Sequence, residues 1–467
     1  MGEPHNPELG EVEPHGRGLR RRRAESDDLA ALKDAVQSGD AAQLHDIVDK
    51  AHEADFADQL EQLSAEQREA VVALSPELIS PDVLSELEDE VLEDVLPLLG
   101  DAQISSALVE LDSDEATQVL EELDEHRREA VLAALPARDR ADIEASLTFD
   151  EDTAGRLMQR EFVAAPAFWN VGQVIDHMRA QGDNLPELFF NLYVIDAAFK
   201  PIGYVPISLI MRNGRSVGIE SIVQPLQVLL SQDMDQEDVA YEFEKYHLIS
   251  APVVDEAGRL SGMITVDDVV DIIQDENKED MLALAGVNEA GLTDTALSTV
   301  RARAPWLFVN LLTAILASFV ISAFGFAIKE FVQLAILMPI VASMGGNAGT
   351  QTLAVAVRAL AERDLTSANA LRAVRREALA AVFNGLIFAT ALAIITYIWF
   401  GRTDLALVIF IAMIINHIFA GLAGILVPLG LKRFGADPAV SSSVFVTTVT
   451  DVVGFLAFLG TAALLLF

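Results

Sequence analysis

The last third of this chain limits its fold more than anything before it. Five apolar runs, roughly 305–328, 331–357, 378–400, 405–431 and 439–467, follow one another with short polar breaks. Each supplies about 20 or more mostly apolar residues, the length that crosses a hydrocarbon core ~30 Å thick. In lipid every backbone N–H and C=O must be satisfied inside the segment, so runs of this kind fold as helices. Residues 301–467 are therefore expected to form an all-α, five-helix transmembrane domain. An odd number of spans puts its two ends on opposite sides. Arg301, Arg303, Arg358, Arg363, Arg372, Arg375, Arg376, Lys432 and Arg433 lie on the side of the long N-terminal part, and Lys329 and Arg402 on the other. Cytoplasmic loops carry the excess of Lys and Arg, so the N-terminal part is expected in the cytoplasm and Phe467 outside.

The chain is acidic and apolar at once, with a formal net charge of −39 and 51% hydrophobic residues. The conflict disappears when it is divided. Residues 301–467 hold 11 Lys/Arg and 7 Asp/Glu, a net of +4, which leaves 21 and 64, a net of −43, in residues 1–300. Cysteine is absent, so disulfides and thiolate metal sites are excluded. The polar first 30 residues show no secretory leader. "RGLRRRRAES" (Arg17 to Ser26) makes residues 1–27 a disordered basic tail, either solvated or drawn to anionic lipid; a nucleic-acid partner is not expected.

Two spans are unlike plain anchors. The second contains "PIVASMGGNAGTQT" (Pro339 to Thr352), in which Pro339, Gly345, Gly346, Asn347, Gly349 and Gln351 are poor choices for a lipid-facing helix. Two readings are open: a kinked, tightly packed helix with small residues at its contacts, or a pore-lining helix that offers carbonyl and amide oxygens to a wet pathway. The fifth contains "VFVTTVTDVVGFLAFLG" (Val444 to Gly460), with one carboxylate, Asp451. A charge at the bilayer centre costs a few kcal/mol even on lenient scales, so it usually faces a partner or an ion path. Either a protonated Asp451 is hydrogen-bonded between helices, or it is a cation site helped by Thr447, Thr448 and Thr450. Oxygen ligands suit Mg²⁺, Ca²⁺ or Mn²⁺. His417, beside Asn416 in the fourth span, is the other titratable residue well inside a span. One carboxylate is thin coordination for a divalent ion, and two chains meeting on a symmetry axis double it.

Residues 28–147 read as short amphipathic helices broken by Asp, Gly or Pro, with a weak repeat ("LDSDEA", "LDEHRRE", "LPARDRA") that predicts an acidic, all-α superhelical N domain. Residues 148–275 change character. "NLYVIDAAFKPIGYVPISLIM" and "ISAPVVDEAGRLSGMITVDDVVDII" each read strand, turn, strand, helix, an internal duplication over about 150–215 and 220–275. Each copy resembles a CBS module (the cystathionine-β-synthase type), giving an α+β tandem pair. In the second copy Gly262, Thr265 and Asp268 match the nucleotide pattern of such modules, which implies ATP there; the first copy lacks the Thr/Asp pair. Residues 268–300 then read as a connecting helix, whose Asp268, Asp271, Asp275 and Glu279 fall on one stripe. The stripe is either a solvated face or a surface that becomes favourable when cations sit against it.

The order of these parts resembles the MgtE family of Mg²⁺ channels and transporters, as do "PIVASMGGNAGTQT", "ADPAVSS", the "TTVTD" ending at Asp451, and "DEDTAGRLM" (Asp150 to Met158). The resemblance covers about residues 28–467. It implies a homodimer in the prokaryotic inner membrane with the pore on the two-fold axis, Asp451 and the Thr447 carbonyl holding hydrated Mg²⁺, and Gly345, Gly346 and Asn347 lining the pore. It implies regulatory Mg²⁺ sites at Asp114, Glu237, Asp268, Asp271, Glu276, Glu279 and Asp280, and a plug over 268–285 that cytosolic Mg²⁺ holds shut. Gln118 and His247 depart from the family pattern, each standing where a carboxylate is common. Rival readings are a carrier of Mn²⁺, Co²⁺ or Ca²⁺, a cation-coupled exporter relaying protons between Asp451 and His417, and a membrane-anchored nucleotide sensor. No nucleophile–base motif, Walker loop or HExxH is present, so an enzyme is not expected.

Overall fold

The computed structural model describes residues 28–182, 185–186, 188–287, 296–366 and 368–467. The expected basic tail at 1–27 and part of the connector, 288–295, lie outside the described residues. The chain divides into two compact units, Met1–Ile272 and Ile273–Phe467.

The first unit opens with short helices whose ends the sequence marks. Asp40, Ser64, Ser80 and Asp124 each cap a helix N-terminus through a side-chain oxygen. Helix α1 (Ser113–Glu121) begins with a capping box between Asp112 and Glu115. The weak repeat has a physical basis in two buried or half-buried arginines. Arg68 donates to the carbonyls of Leu60 and Leu63, and Arg128 donates to those of Leu120 and Leu123. Each guanidinium thus satisfies the last carbonyls of the helix before it, which have no partner within that helix. Leu32, Leu44, Phe56, Leu60, Leu92 and Leu120 are fully buried in the core that these helices enclose.

Two three-stranded sheets follow. Strands β1 (Ala164–Pro166), β2 (Asn191–Ile195) and β3 (Pro201–Pro206) pair parallel, then antiparallel. Strands β4 (Leu230–Ser231), β5 (Ser250–Val254) and β6 (Leu260–Thr265) repeat that order. The duplication extends to detail. The register slips at Val194/Ile195 in one sheet and at Val253/Val254 in the other. Asp196 and Asp255 each accept from the second and fourth backbone N–H beyond them, closing both turns alike. Helix α2 (Val266–Leu284) starts directly after β6, so the acidic stripe lies on one uninterrupted helix.

The second unit contains five helices long and apolar enough to cross a membrane. They belong to α3 (Ala296–Ala323), α4 (Val332–Ala361), α5 (Ala370–Phe400), α6 (Thr403–Arg433) and α7 (Pro438–Leu465). The first span stops short of the expected 328: the helix breaks at Phe324 (φ −105°, ψ 21°), and a separate turn of helix, Gly325–Glu330, follows. Helix α6 is the most buried of the five and forms the centre of the bundle. Its Val408, Ile409 and Ala412 pack with Leu337, Val341 and Phe458. Helix α4 runs unbroken through Pro339 and its glycines. Small residues set the close contacts instead. A Cβ on Gly345 would come within 2.2 Å of Asn416 Nδ2, and one on Gly424 within 2.7 Å of the Gly349 carbonyl.

Candidate functional site

In the membrane unit Asp451 and Thr447 lie one turn apart on α7, so they share a face. The hydroxyls of Thr447, Thr448 and Thr450 donate to the Ser443, Val444 and Thr447 carbonyls at 2.8, 2.6 and 2.9 Å. Their lone pairs remain available as acceptors. The Thr447 carbonyl, expected as an ion ligand, already accepts from Thr450. Among the described residues no group of this chain hydrogen-bonds the half-buried Asp451 carboxylate, so the interhelical bond expected of a protonated structural Asp is absent here.

The candidate residues of α4 separate onto two faces. Gly345 is buried against Asn416, whose Nδ2 donates to the Val341 carbonyl at 2.8 Å. Asn347 is exposed, and Gly346 has open space where a Cβ would stand. The tight-packing reading therefore fits Gly345 and Gly349, while Asn347 and Gln351 keep amide oxygens on exposed positions and the Gly346 carbonyl accepts from Thr350 at 2.9 Å. His417 is buried against α5: its ring stacks on Phe388 at 6.0 Å, and its Cβ meets Gly385. No described contact joins it to Asp451, so the proposed proton relay lacks its link.

In the soluble unit the fold brings together residues far apart in sequence. Asp114, in the first turn of α1, is half-buried, and its Oδ1, shielded from solvent, has no hydrogen-bond partner. Burial, then the neighbouring charges of Asp268, Asp112 and Glu115, push its carboxyl well above the usual range. Glu115 is pushed up to about 7, first by burial, then by Asp112 and Asp268. Asp268 rises to about 6 by burial and the charges of Asp267 and Asp271, although Thr265 donates to it through N (3.2 Å) and Oγ1 (2.6 Å). Asp271 in turn stands near Glu86, whose carboxyl is raised by burial and then by that charge. Two predicted ligands, Asp114 and Asp268, thus face each other, with Asp112, Glu115 and Glu86 added by the fold. Their common signal, an acidic residue at a helix end, marks every helix of the N domain alike.

The other predicted ligands occupy different elements. Glu237 is exposed in the first turn of the helix Gln236–Tyr246. Glu276, Glu279 and Asp280 lie in the second unit, exposed or half-exposed on α2. Among the described residues no three His, Asp or Glu side chains already form a ligand set. Gln118 donates to Asp89 at 3.2 Å, and His247 caps a helix in the left-handed region (φ 53°).

Of the nucleotide pattern, Gly262 has a packing reason: a Cβ there would come within 2.6 Å of the Gln159 carbonyl. Thr265 is committed to Asp268, and the cavity it lines also holds Asp112, Glu115 and Asp267, which repel phosphate. A separate cavity of 460 Å³ between the two modules is lined by aliphatic, aromatic and polar side chains, among them Phe190, Tyr193, Tyr204, Ser208, Tyr246 and His247.

A sequence profile described as a divalent cation transporter matches residues 338–461, one described as the MgtE intracellular N domain matches 51–152, and one for the CBS domain matches 223–275. The magnesium transporter MgtE of Thermus thermophilus is 33% identical over 443 residues, covering 93% of this chain and 98% of that protein. The chain belongs to the MgtE family. A second MgtE, from Enterococcus faecalis, is 31% identical over 70% of this chain and 72% of its own length. A solved structure of the cytosolic domain of the Mg²⁺ channel MgtE in complex with ATP is similar at 30% identity and a TM-score of 0.49, over 52% of this chain and 99% of that one. As a member of the MgtE transporter family with five apolar helices of spanning length, the chain is a membrane protein.

Proposed function

We propose that this chain imports Mg²⁺ through the membrane as a homodimer, with Asp451 of each copy at the ion path on the two-fold axis. The observation that carries the reading is a carboxylate in mid-span for which, among the described residues, this chain supplies no hydrogen-bond partner. Burying it is costly unless it faces water, a cation or a second copy. Its Thr-rich surroundings offer oxygens, the donor type that suits a hard cation keeping most of its waters. The domains read as an N domain over 28–147, paired modules over 148–275, a plug over 268–300 and the pore domain over 301–467, with the N-terminus cytoplasmic. The membrane potential drives two charges inward by about 4.6 kcal/mol per 100 mV.

Closure follows from the carboxylates at the junction of α1 and α2. Without cations Asp114, Glu115, Asp268, Asp271 and Glu86 repel one another; Mg²⁺ between them relieves the repulsion and favours the closed state. An adenine nucleotide tunes that response, at most one per chain. The aromatic cavity between the modules suits a base better than the acidic flank of Gly262, Thr265 and Asp268 does.

Flux of Mg²⁺ into proteoliposomes under an imposed voltage tests the import. Asp451→Asn is expected to lose nearly all flux while the dimer still elutes intact. Near-normal flux in that variant would remove Asp451 from the path. Parallel runs with Mn²⁺, Co²⁺ and Ca²⁺ decide among the divalent cargoes.

A further inference from the structure

We infer that the membrane unit holds a second cation site, separate from Asp451, that takes a borderline transition-metal ion such as Co²⁺ through His417 and Glu377. The two residues line one cavity of 140 Å³ together with Gln351 and Thr352 of α4 and Asn384 of α5. A water occupies about 30 Å³ of liquid, so there is room for an ion and a few waters. The remaining lining is Ala and Gly, so small residues open the space and every larger side chain facing it is polar. On α5 the lining positions 377, 380, 381 and 384 follow helical spacing, which puts Glu377 and Asn384 on one face two turns apart.

The state of His417 indicates a ligand. The side chain is 2% exposed. Its Nδ1 lies 2.9 Å from the Met413 carbonyl, which can only accept, so the ring hydrogen sits on Nδ1. Nε2 is then an unprotonated donor atom on a ring that lines the cavity. Metal-binding histidines are held in this way, with the distal N–H bonded to a carbonyl or carboxylate that fixes tautomer and orientation. The stack on Phe388 holds the ring plane. Glu377 Oε1 accepts from Arg376, whose own side chain is 70% exposed, and the second carboxylate oxygen remains for the cavity. Thr352 Oγ1 donates to the Ala348 carbonyl and keeps its lone pairs. One imidazole nitrogen, one carboxylate and amide oxygens form a mixed set that favours Co²⁺, Ni²⁺ or Zn²⁺ over Mg²⁺, which prefers oxygen and water.

The test is titration of the metal-free, full-length protein in detergent with CoCl₂, followed by visible absorption and calorimetry in excess Mg²⁺. Seven of the eight histidines lie outside the spans, so substitutions must identify the site. One Co²⁺ per chain is expected to survive the Mg²⁺ and to persist in Asp451→Asn. His417→Gln, which keeps an N–H for the Met413 carbonyl, should weaken it at least about tenfold, the lower end of what losing even an outer-shell partner costs a metal site. Glu377→Gln changes only a charge, covers the case in which His417→Gln fails to fold, and should also weaken binding. Co²⁺ binding unchanged in either folded variant, displaced by Mg²⁺, or lost in Asp451→Asn would overturn the site.

Discussion

At the scale of single residues, burial of like charges sets a pH dependence. Asp268 and Glu115 titrate near about 6 and 7 in the folded protein and lower when unfolded, because burial and neighbouring carboxylates penalise the ionised form. The folded state therefore holds protons that the unfolded chain has released. Their stabilising effect is complete below the unfolded carboxylate range and is lost as pH rises through those two values. The metal-free protein should melt higher at about pH 6 than at about pH 8, with Mg²⁺ narrowing the gap, as differential scanning fluorimetry will report. At about pH 8, Asp114→Asn removes one half-buried carboxyl from the repelling cluster and should raise the metal-free midpoint by about 2–4 °C, the shift that ~1 kcal/mol gives a domain of this size. A lower midpoint would mean that Asp114 is not under repulsion. In the membrane, Asn416 wedges against both Gly345 and Gly454. Gly345→Ala should disrupt this contact because the bond to the Val341 carbonyl prevents Asn416 from swinging aside. The pair Gly345→Ala with Asn416→Ala should recover part of the loss, and equal losses in single and double variants would show that the contact does not matter.

At the scale of elements, the duplicated modules expose one local strain. The turn after β5 uses Gly258 at φ 75°, and the matching turn after β2 places Phe199 at φ 66°. A left-handed non-glycine residue costs roughly 1–2 kcal/mol. Phe199 is 46% exposed and has little packing to lose. Phe199→Gly should therefore stabilise the first module, by about 0.5–1 kcal/mol once the extra freedom of glycine in the unfolded chain is subtracted. Urea unfolding checks the sign, and destabilisation would assign the phenyl ring a contact partner.

At the scale of the whole molecule, the net charge of −43 carried by residues 1–300 makes ions the natural controller of shape. Monovalent salt screens repulsion over a Debye length of about 8 Å at ~0.15 M, yet it cannot bridge two carboxylates on different segments. Protease resistance around residues 145–155 and 275–300 should rise with Mg²⁺ and not with KCl of equal ionic strength. Replacing Asp268, Asp271 and Glu279 together with Ala should leave a transporter that conducts even at high cytosolic Mg²⁺. Equal protection by KCl, or permanent closure of the triple variant, would show that the stripe acts as plain charge.

The sequence by itself determined what depends on local period and composition. Five spans follow from apolar length, the paired modules from their repeated strand–turn–strand pattern, and the unbroken acidic helix from its spacing after β6. Asp451 needed only its position within a span to be singled out. Other features depended on how distant segments close on one another. Asp114 meets Asp268 because α1 and the start of α2 pack within one unit, and Glu86 and Glu115 join them for the same reason. No periodicity distinguishes these from the many acidic helix ends of the N domain. Pattern alone also could not divide the glycines of α4: Gly345 packs on Asn416, and Gly346 faces open space. His417 pointed equally toward every neighbouring span until tertiary packing placed it against α5. Side-chain direction within a bundle is a property of helix rotation, and that rotation is set by which small residues on neighbouring helices allow close approach.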